Sequence, residues 1–236
     1  MRSQKVLQPQ QRNHALIRSL ARTLLRLRFH LFQRHRHNRV VIEEIAGKPL
    51  VVLPGVMNPK LFRTGEKLAR ALDVRLVPSG SSVLDMGTGT GVVALFAEQW
   101  AGRVVAVDIN PMAVRCARIN VLLNQAEERV AVREGDLFEP VADERFDVVL
   151  FNPPFFRGTP HNGFDRAWRA HDVVERFAAD LGDHLTPKGH AVVILSTEGD
   201  TLAFLRAFQK ADFVAEVVRM HNLGNEVLTI YRFQPL

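Results

Sequence analysis

The chain has 236 residues, 47% of them hydrophobic, which suits one α/β core with an extension and is too little for two full domains. No apolar run approaches the ~20 residues of a bilayer span, so no membrane association is expected. The single cysteine, Cys116, excludes an intramolecular disulfide, argues against a cysteine-based metal cluster and fits a reducing, cytoplasmic location. The net charge of +6 is unevenly placed. Residues 1–42 hold ten Lys or Arg and no acid, so the remainder carries 21 basic against 25 acidic side chains. That asymmetry describes a basic arm on a mildly acidic body.

The elements follow in chain order. From about His14 to His37, Ile17, Leu20, Leu24, Leu27 and Leu31 recur at alternating spacings of three and four and form one apolar stripe. Arg18, Arg22 and Arg26 lie on another face. This predicts a basic amphipathic helix. Arg39–Glu44 and Leu50–Leu53 read as short strands around Ala46-Gly47-Lys48. Pro54-Gly55 and Asn58-Pro59 then break the chain, and Thr64–Leu72 reads as a helix.

From Ser82 strands and helices alternate: Val83–Asp85, then Val92–Trp100; Arg103–Val107, then Pro111–Leu123; then strands Val130–Arg133 and Phe146–Phe151. A helix across His171–Leu185, a strand at Ala191–Ser196 and a helix near Leu202–Gln209 continue the pattern. The alternation implies a mostly parallel sheet covered by helices on both faces. Phe213–Met220 and Glu226–Phe233, joined by Asn222-Leu223-Gly224-Asn225, read as a closing antiparallel hairpin.

The segment Val83-Leu84-Asp85-Met86-Gly87-Thr88-Gly89-Thr90-Gly91 joins the first of these strands to its helix. Glycines there let the backbone turn tightly and a ligand approach closely. Asp108, beside Ile109, ends the next strand, where a carboxylate can accept hydrogen bonds from both ribose hydroxyls of an adenosine-containing cofactor. That much fits a dinucleotide as well as S-adenosylmethionine (SAM), and Gly89-x-Gly91-x-x-Ala94 matches a dinucleotide pattern literally. Three features favour SAM. Asp85 places a carboxylate where a pyrophosphate would be repelled and an ammonium welcomed. Asp136 and Leu137 follow the third strand, suited to an adenine amino group and ring. The fourth strand ends in Asn152-Pro153-Pro154-Phe155.

That tetrapeptide sits where open α/β sheets bind ligands. A conjugated NH2 is a poor nucleophile because its lone pair is delocalised. The Asn152 side-chain oxygen and the Pro153 carbonyl can accept its two hydrogens, which orients the nitrogen and frees its lone pair. Pro153 and Pro154 stiffen the turn and remove competing N–H donors. Phe155 offers a flat face to a planar group. Positioning does most of the work. Asn152, Pro153, Pro154 and Phe155 are therefore the expected catalytic group. The expected cofactor set is Thr64, Asp85, Gly87, Thr88, Gly89, Gly91, Asp108, Ile109, Asp136, Leu137 and Asn152. No metal is expected.

These motifs stand in the order of class I SAM-dependent methyltransferases, and residues 50–200 resemble the HemK-type glutamine N5-methyltransferase family. The resemblance rests on the Asp85-x-Gly87-x-Gly89-x-Gly91 loop, Asp108 and the Asn-Pro-Pro-aromatic tetrapeptide. Pro54–Pro59 with Thr64-Gly65-Glu66 looks like the segment that closes over SAM in such enzymes. Arg166-Ala167-Trp168, Arg176-Phe177 and Leu185–Gly189 look like the eukaryotic and archaeal branch. The resemblance implies a seven-stranded Rossmann-like sheet and methylation of the glutamine in a Gly-Gly-Gln motif of translation release factors. Two departures bear on the substrate and leave the chemistry intact. Phe155 stands where the glutamine enzymes usually have Tyr, and the N-terminal segment does not look like the bacterial docking domain. The tetrapeptide is also shared with enzymes that methylate exocyclic amines of RNA and DNA.

The expectation is thus an α/β fold: a class I methyltransferase sheet at residues 63–236 with an antiparallel C-terminal hairpin, preceded at 1–62 by a basic helix and short β-hairpin. The expected partner is a protein substrate of release-factor type, or nucleic acid held by the basic helix. That helix also reads as an amphipathic helix packed on the body, as a transit peptide, or as a dimer contact. His35 and His37, flanking Arg36, are poor metal ligands in so basic a stretch. Cys116 falls on the apolar side of its helix. Trp168 reads equally as pocket lining or surface packing, and Asp165 with Arg166 as a loop latch or a solvated ion pair.

Overall fold

The computed structural model describes residues 39–154, 156–157, 169–170 and 172–236. The helix expected at 14–37, and with it His35 and His37, lies outside them, as do Phe155, Asp165, Arg166 and Trp168.

Strands β1 (Val41–Ile45) and β2 (Lys48–Val52) form an antiparallel hairpin. Its two turn residues, Ala46 and Gly47, both have positive φ, 47° and 81°, which suits the right-handed twist of the flanking strands. Ile45 and Leu50 are fully buried, and Asn120 ties β2 to the body. The Asn120 amide bonds both backbone groups of Val51, each at 2.7 Å, and also donates to the Thr90 carbonyl at 2.9 Å. One buried side chain therefore stands in for a neighbouring strand.

The main sheet contains β3 (Ser82–Met86), β4 (Arg103–Asp108), β5 (Val130–Glu134), β6 (Phe146–Phe151), β9 (Leu185–Ser196), β10 (Phe213–Asn222) and β11 (Val227–Pro235). Its order is β10-β11-β9-β6-β3-β4-β5. The five strands from β9 to β5 run parallel, and β11 is antiparallel to both its neighbours. A separate pair, β7 (Phe156–Arg157) and β8 (Arg169–Ala170), is parallel. The inner parallel strands β3, β4 and β6 are rich in Val and Leu because both their faces are covered, whereas the edge strand β5 buries only Val130. Val83, Val104, Val148 and Ile194 point into one core, shared with the β1–β2 hairpin, α2 (Thr64–Ala71) and α3 (Val92–Ala97). Leu84, Val105, Val149 and Val193 point into the other, under α5 (Val173–Asp180) and α6 (Thr201–Lys210). A short α1 (Pro59–Phe62) precedes α2, and α4 (Pro111–Leu123) follows β4.

The seven-stranded α/β sheet and its closing antiparallel hairpin agree with the sequence expectation. Several boundaries differ by one or two residues, and three differ by more. The helix expected across His171–Leu185 is α-helical only over Val173–Asp180 and tightens to a 3-10 turn at Leu181–His184. The α-helix from Val92 ends at Ala97. Strand β9 begins at Leu185, not Ala191. Against β6 its register steps from Leu185–Phe146 to His190–Val148, so Thr186–Gly189 bulges without ending the strand. Gly189 permits this, because a Cβ there would meet the Phe146 carbonyl oxygen at 2.8 Å.

Candidate active site

The carboxyl ends of β3, β4 and β6, with the loop after β5, surround a cavity of about 150 Å³. Gly87, Thr88 and Gly89 form part of its lining. Asp85, at the end of β3, is 2% exposed. Its Oδ2 accepts from the Thr88 hydroxyl at 2.6 Å and the Ala94 N–H at 3.1 Å. Burial outweighs these bonds and, with the nearby Asp108 charge adding to it, pushes the Asp85 carboxyl up to about 7.

Asp108 ends β4. Its two oxygens accept from the N–H groups of Gly89 and Asn110, each at 2.9 Å. Burial raises its pKa, and the backbone donors oppose the rise. The adjacent Ile109 is 42% exposed at the cavity wall. Asp136 and Leu137 close the far side. Leu137 takes φ 49°, a left-handed conformation strained for a non-glycine residue. Asp136 Oδ2 accepts from Arg176 of α5 at 2.7 Å, and this pairing raises the guanidinium pKa.

The chain between the β-hairpin and α2 supplies the remaining wall through Gly55, Val56, Met57 and Pro59. Asn58 anchors it. Its Oδ1 caps α1 by accepting from the N–H groups of Lys60 and Leu61, while its Nδ2 donates to buried Glu43 at 2.9 Å. Asn110 Nδ2 reaches the Gly55 carbonyl at 3.4 Å, joining this wall to the end of β4.

Asn152 follows β6 directly. Its Nδ2 donates to Thr64 Oγ1 at 3.2 Å, and its buried Oδ1 has no hydrogen-bond partner. A buried acceptor left unpaired costs about 1–3 kcal/mol, so the arrangement is one that a donor from a ligand would complete. Behind it, Phe151 stacks on Phe177 at 4.3 Å, and Phe177 on Phe138 at 5.3 Å. These rings hold the strand end against α5.

Asp85, Gly87, Thr88, Gly89, Asp108, Ile109, Asp136, Leu137, Asn152 and Pro154 therefore surround one cavity. Gly91, Thr64 and Pro153 are buried off its surface. Gly91 sits at φ +81° before α3, where a Cβ would press on Ala117 Cα at 3.3 Å. Phe155 lies outside the described residues. The supporting contacts of two residues, Asn120 and Arg176, are not among the sequence expectations. Asn120 had a signal, as a lone amide in the apolar run of α4. Arg176 had none that linked it to Asp136. Among the described residues, no group of three or more His, Cys, Asp or Glu is placed to hold a metal ion, and no helix is long and apolar enough to cross a membrane.

The sheet order, with one antiparallel strand beside a run of parallel ones, is that of the class I methyltransferases. Among solved structures the chain is similar to the T. thermophilus 16S rRNA N2 G1207 methyltransferase in complex with AdoMet and guanosine, at TM-score 0.62 and 21% identity. That match covers 84% of this chain and 50% of the other, and is a likeness of fold. Sequence is more specific: the methyltransferase small domain model matches residues 50–220, and the chain belongs to that family. It is a methyltransferase. One curated relative, a protein N5-glutamine methyltransferase by its assigned name, comes from Methanocaldococcus jannaschii. It is 32% identical over 150 residues, 60% of this chain and 74% of its own length. Another, the tRNA1(Val) (adenine(37)-N6)-methyltransferase of Porphyromonas gingivalis, is 32% identical over 145 residues, 56% of each chain. The match thus spans little more than half of that enzyme.

Proposed function

We propose that this chain methylates a planar NH2 nitrogen, and that the nitrogen belongs to a protein glutamine side-chain amide of release-factor type. The methyl donor is S-adenosylmethionine, which supplies an electrophilic methyl group on a sulfonium. The residues around the cavity suit such a ligand. Ionised Asp85 faces its ammonium, Asp108 its ribose hydroxyls, and Asp136 its adenine amino group, with Leu137 against the ring. Gly87 and Gly89 let the backbone come close.

The observation that carries the acceptor assignment is the buried, unpartnered Asn152 Oδ1 beside the cavity. It accepts one hydrogen of the incoming NH2, while Pro153, buried off the cavity surface, stiffens the turn that aims it. That bond turns the nitrogen lone pair toward the methyl group, and the aromatic ring expected at Phe155 offers the group a flat face. The surplus proton leaves after transfer, so no strong base is required. Catalysis is mainly a matter of fixed attack geometry.

Glutamine is favoured by the archaeal relative's assigned name, by Pro54–Glu66, and by Arg176-Phe177 with Leu185–Gly189. A nucleobase amine is the second reading. The tRNA adenine relative and the ten basic residues of the first 42 favour it. Incubating the enzyme with radiolabelled SAM and extract from cells lacking it separates the two. Label released by protease, and mapped to glutamine by mass spectrometry, is the expected result. Label released only by nuclease would replace the glutamine assignment with the nucleobase one.

A further inference from the structure

The Asn152–Thr64 hydrogen bond has a consequence for the reaction. The terminal torsion of an asparagine amide is broad and roughly two-fold, so an unsupported amide can present either oxygen or nitrogen and can tilt between them. Only the oxygen can accept a hydrogen from an NH2. Thr64 is 4% exposed, lies off the cavity surface, and bonds the amide nitrogen from behind at 3.2 Å. Its own placement is closely held. Arg63, at φ 61°, turns the chain between α1 and α2, donates its N–H to the Pro59 carbonyl, and brings its guanidinium within 3.9 Å of Glu226. The next residue, Gly65, lies beside the site, where a Cβ would sit in ordinary contact with the Pro59 and Val92 side chains at 3.6 Å and with Asn152 Nδ2 at 4.0 Å.

We infer that Thr64 is a positioning residue that fixes the Asn152 amide plane, so that Oδ1 meets the acceptor nitrogen. The inference rests on the reading of Asn152 as the acceptor-binding residue. The bonds then form one relay: acceptor N–H to Asn152 Oδ1, and Asn152 Nδ2–H to Thr64 Oγ1. Polarisation along such a chain strengthens each member. Thr64 thereby differs from a cofactor contact, the role the sequence suggested for it.

The test compares Thr64→Val, which keeps shape and loses the hydroxyl, with Thr64→Ser, which keeps the hydroxyl. Methyl transfer into extract lacking the enzyme falls roughly tenfold to a hundredfold in the valine variant, the scale of a misplaced reacting group, and recovers in the serine variant. SAM affinity by calorimetry stays within about twofold in both, because a defect confined to the transition state leaves donor binding alone. In 15N spectra the Asn152 side-chain NH2 pair, identified by its loss in Asn152→Ala, moves in the valine variant and stays in place in the serine variant. Weakened SAM binding with undiminished turnover would overturn the inference and make Thr64 a cofactor contact. Equal losses in both variants, or an unmoved NH2 pair, would overturn it also. If the valine variant does not fold, Thr64→Ala takes its place beside Thr64→Ser. If no acceptor in the extract is labelled, the functional reading fails, and the NH2 signals still decide what Thr64 holds.

Discussion

The two halves of the cavity are built on different physics. At the ends of β3, β4 and β5 the side chains are carboxylates, each already engaged: Asp85 by Thr88 and Ala94, Asp108 by Gly89 and Asn110, Asp136 by Arg176. At the end of β6 stand a neutral amide with an unpaired oxygen and two prolines. A cationic donor is attracted by charge, which acts over distance and tolerates small errors of placement. An uncharged NH2 is held by hydrogen bonds, which weaken steeply with misalignment. Under the proposed function the acceptor half needs rigid support more than it needs charge, and Thr64, the prolines and the Phe151–Phe177 stack are placed to supply it.

The largest effect that bears on this contrast is expected at Asn152. In Asn152→Ala, transfer should fall by about 10²–10³, the range seen when one pre-aimed hydrogen-bonding group is removed from a reacting centre, while SAM affinity changes little. Radiolabel transfer and calorimetry on the same preparation check both halves. Loss of SAM binding in this variant would break the division, placing Asn152 in the donor half.

Next is Asp85→Asn, which should weaken SAM binding roughly tenfold to a hundredfold, corresponding to the ~1.5–3 kcal/mol of a hydrogen bond to a charged group. The wild-type pH dependence is distinctive. In the free chain burial lifts the Asp85 carboxyl to about 7, and the cationic donor favours the ionised form. Binding below that pH must release the proton, so affinity rises as pH approaches 7 and levels off above it. The asparagine variant loses this rise. Folding stability runs the other way. A raised folded-state pKa makes the free chain bind protons more tightly than the unfolded one. The contribution is fully present below the ordinary carboxylate range and is lost as pH rises through 7. Calorimetric titration and thermal melts across pH 5 to 8 read both slopes. A pH-flat wild-type affinity would show that the carboxylate does not meet the ammonium.

The same contrast explains what was legible in the sequence. Strand β6 and helix α4 have the bounds expected of them. One is an apolar run ended by Asn152-Pro153, and the other starts at an Asn110-Pro111 cap. The acids at strand ends were visible because they break apolar runs at fixed points of the α/β rhythm. Strand β9 begins at Leu185, ahead of the expected Ala191, because the sheet absorbs Pro187-Lys188-Gly189 as a bulge. The Asn120 clamp on Val51 and the Arg176 bond to Asp136 join residues 69 and 40 positions apart. Only the packed fold brings these together. Local pattern thus named the acids and the amide that line the cavity, and not the residues that hold them.

The smallest expected effect tests whether support matters in the charged half at all. Arg176 is 41% exposed and its partner Asp136 27%, so the pair contributes at most about 1 kcal/mol to folding. Arg176→Ala should leave the melting temperature nearly unchanged. Its effect should fall on the ligand. Freed of the guanidinium, Asp136 gains side-chain freedom that adenine binding must then remove, and SAM affinity should drop a few-fold at about 0.5–1 kcal/mol per immobilised side chain. Turnover at saturating SAM should hold, since the acceptor device is untouched. Arg176→Lys should restore the charge and only part of the affinity, because a lysine lacks the fixed planar fork that aims the carboxylate. Unchanged affinity in the alanine variant would mean that charge alone suffices around the donor, making the difference between the two halves sharper than drawn. A fall in turnover instead would mean that α5 carries strain from the adenine side to Asn152 through the Phe177–Phe151 stack, and the halves would then work as one.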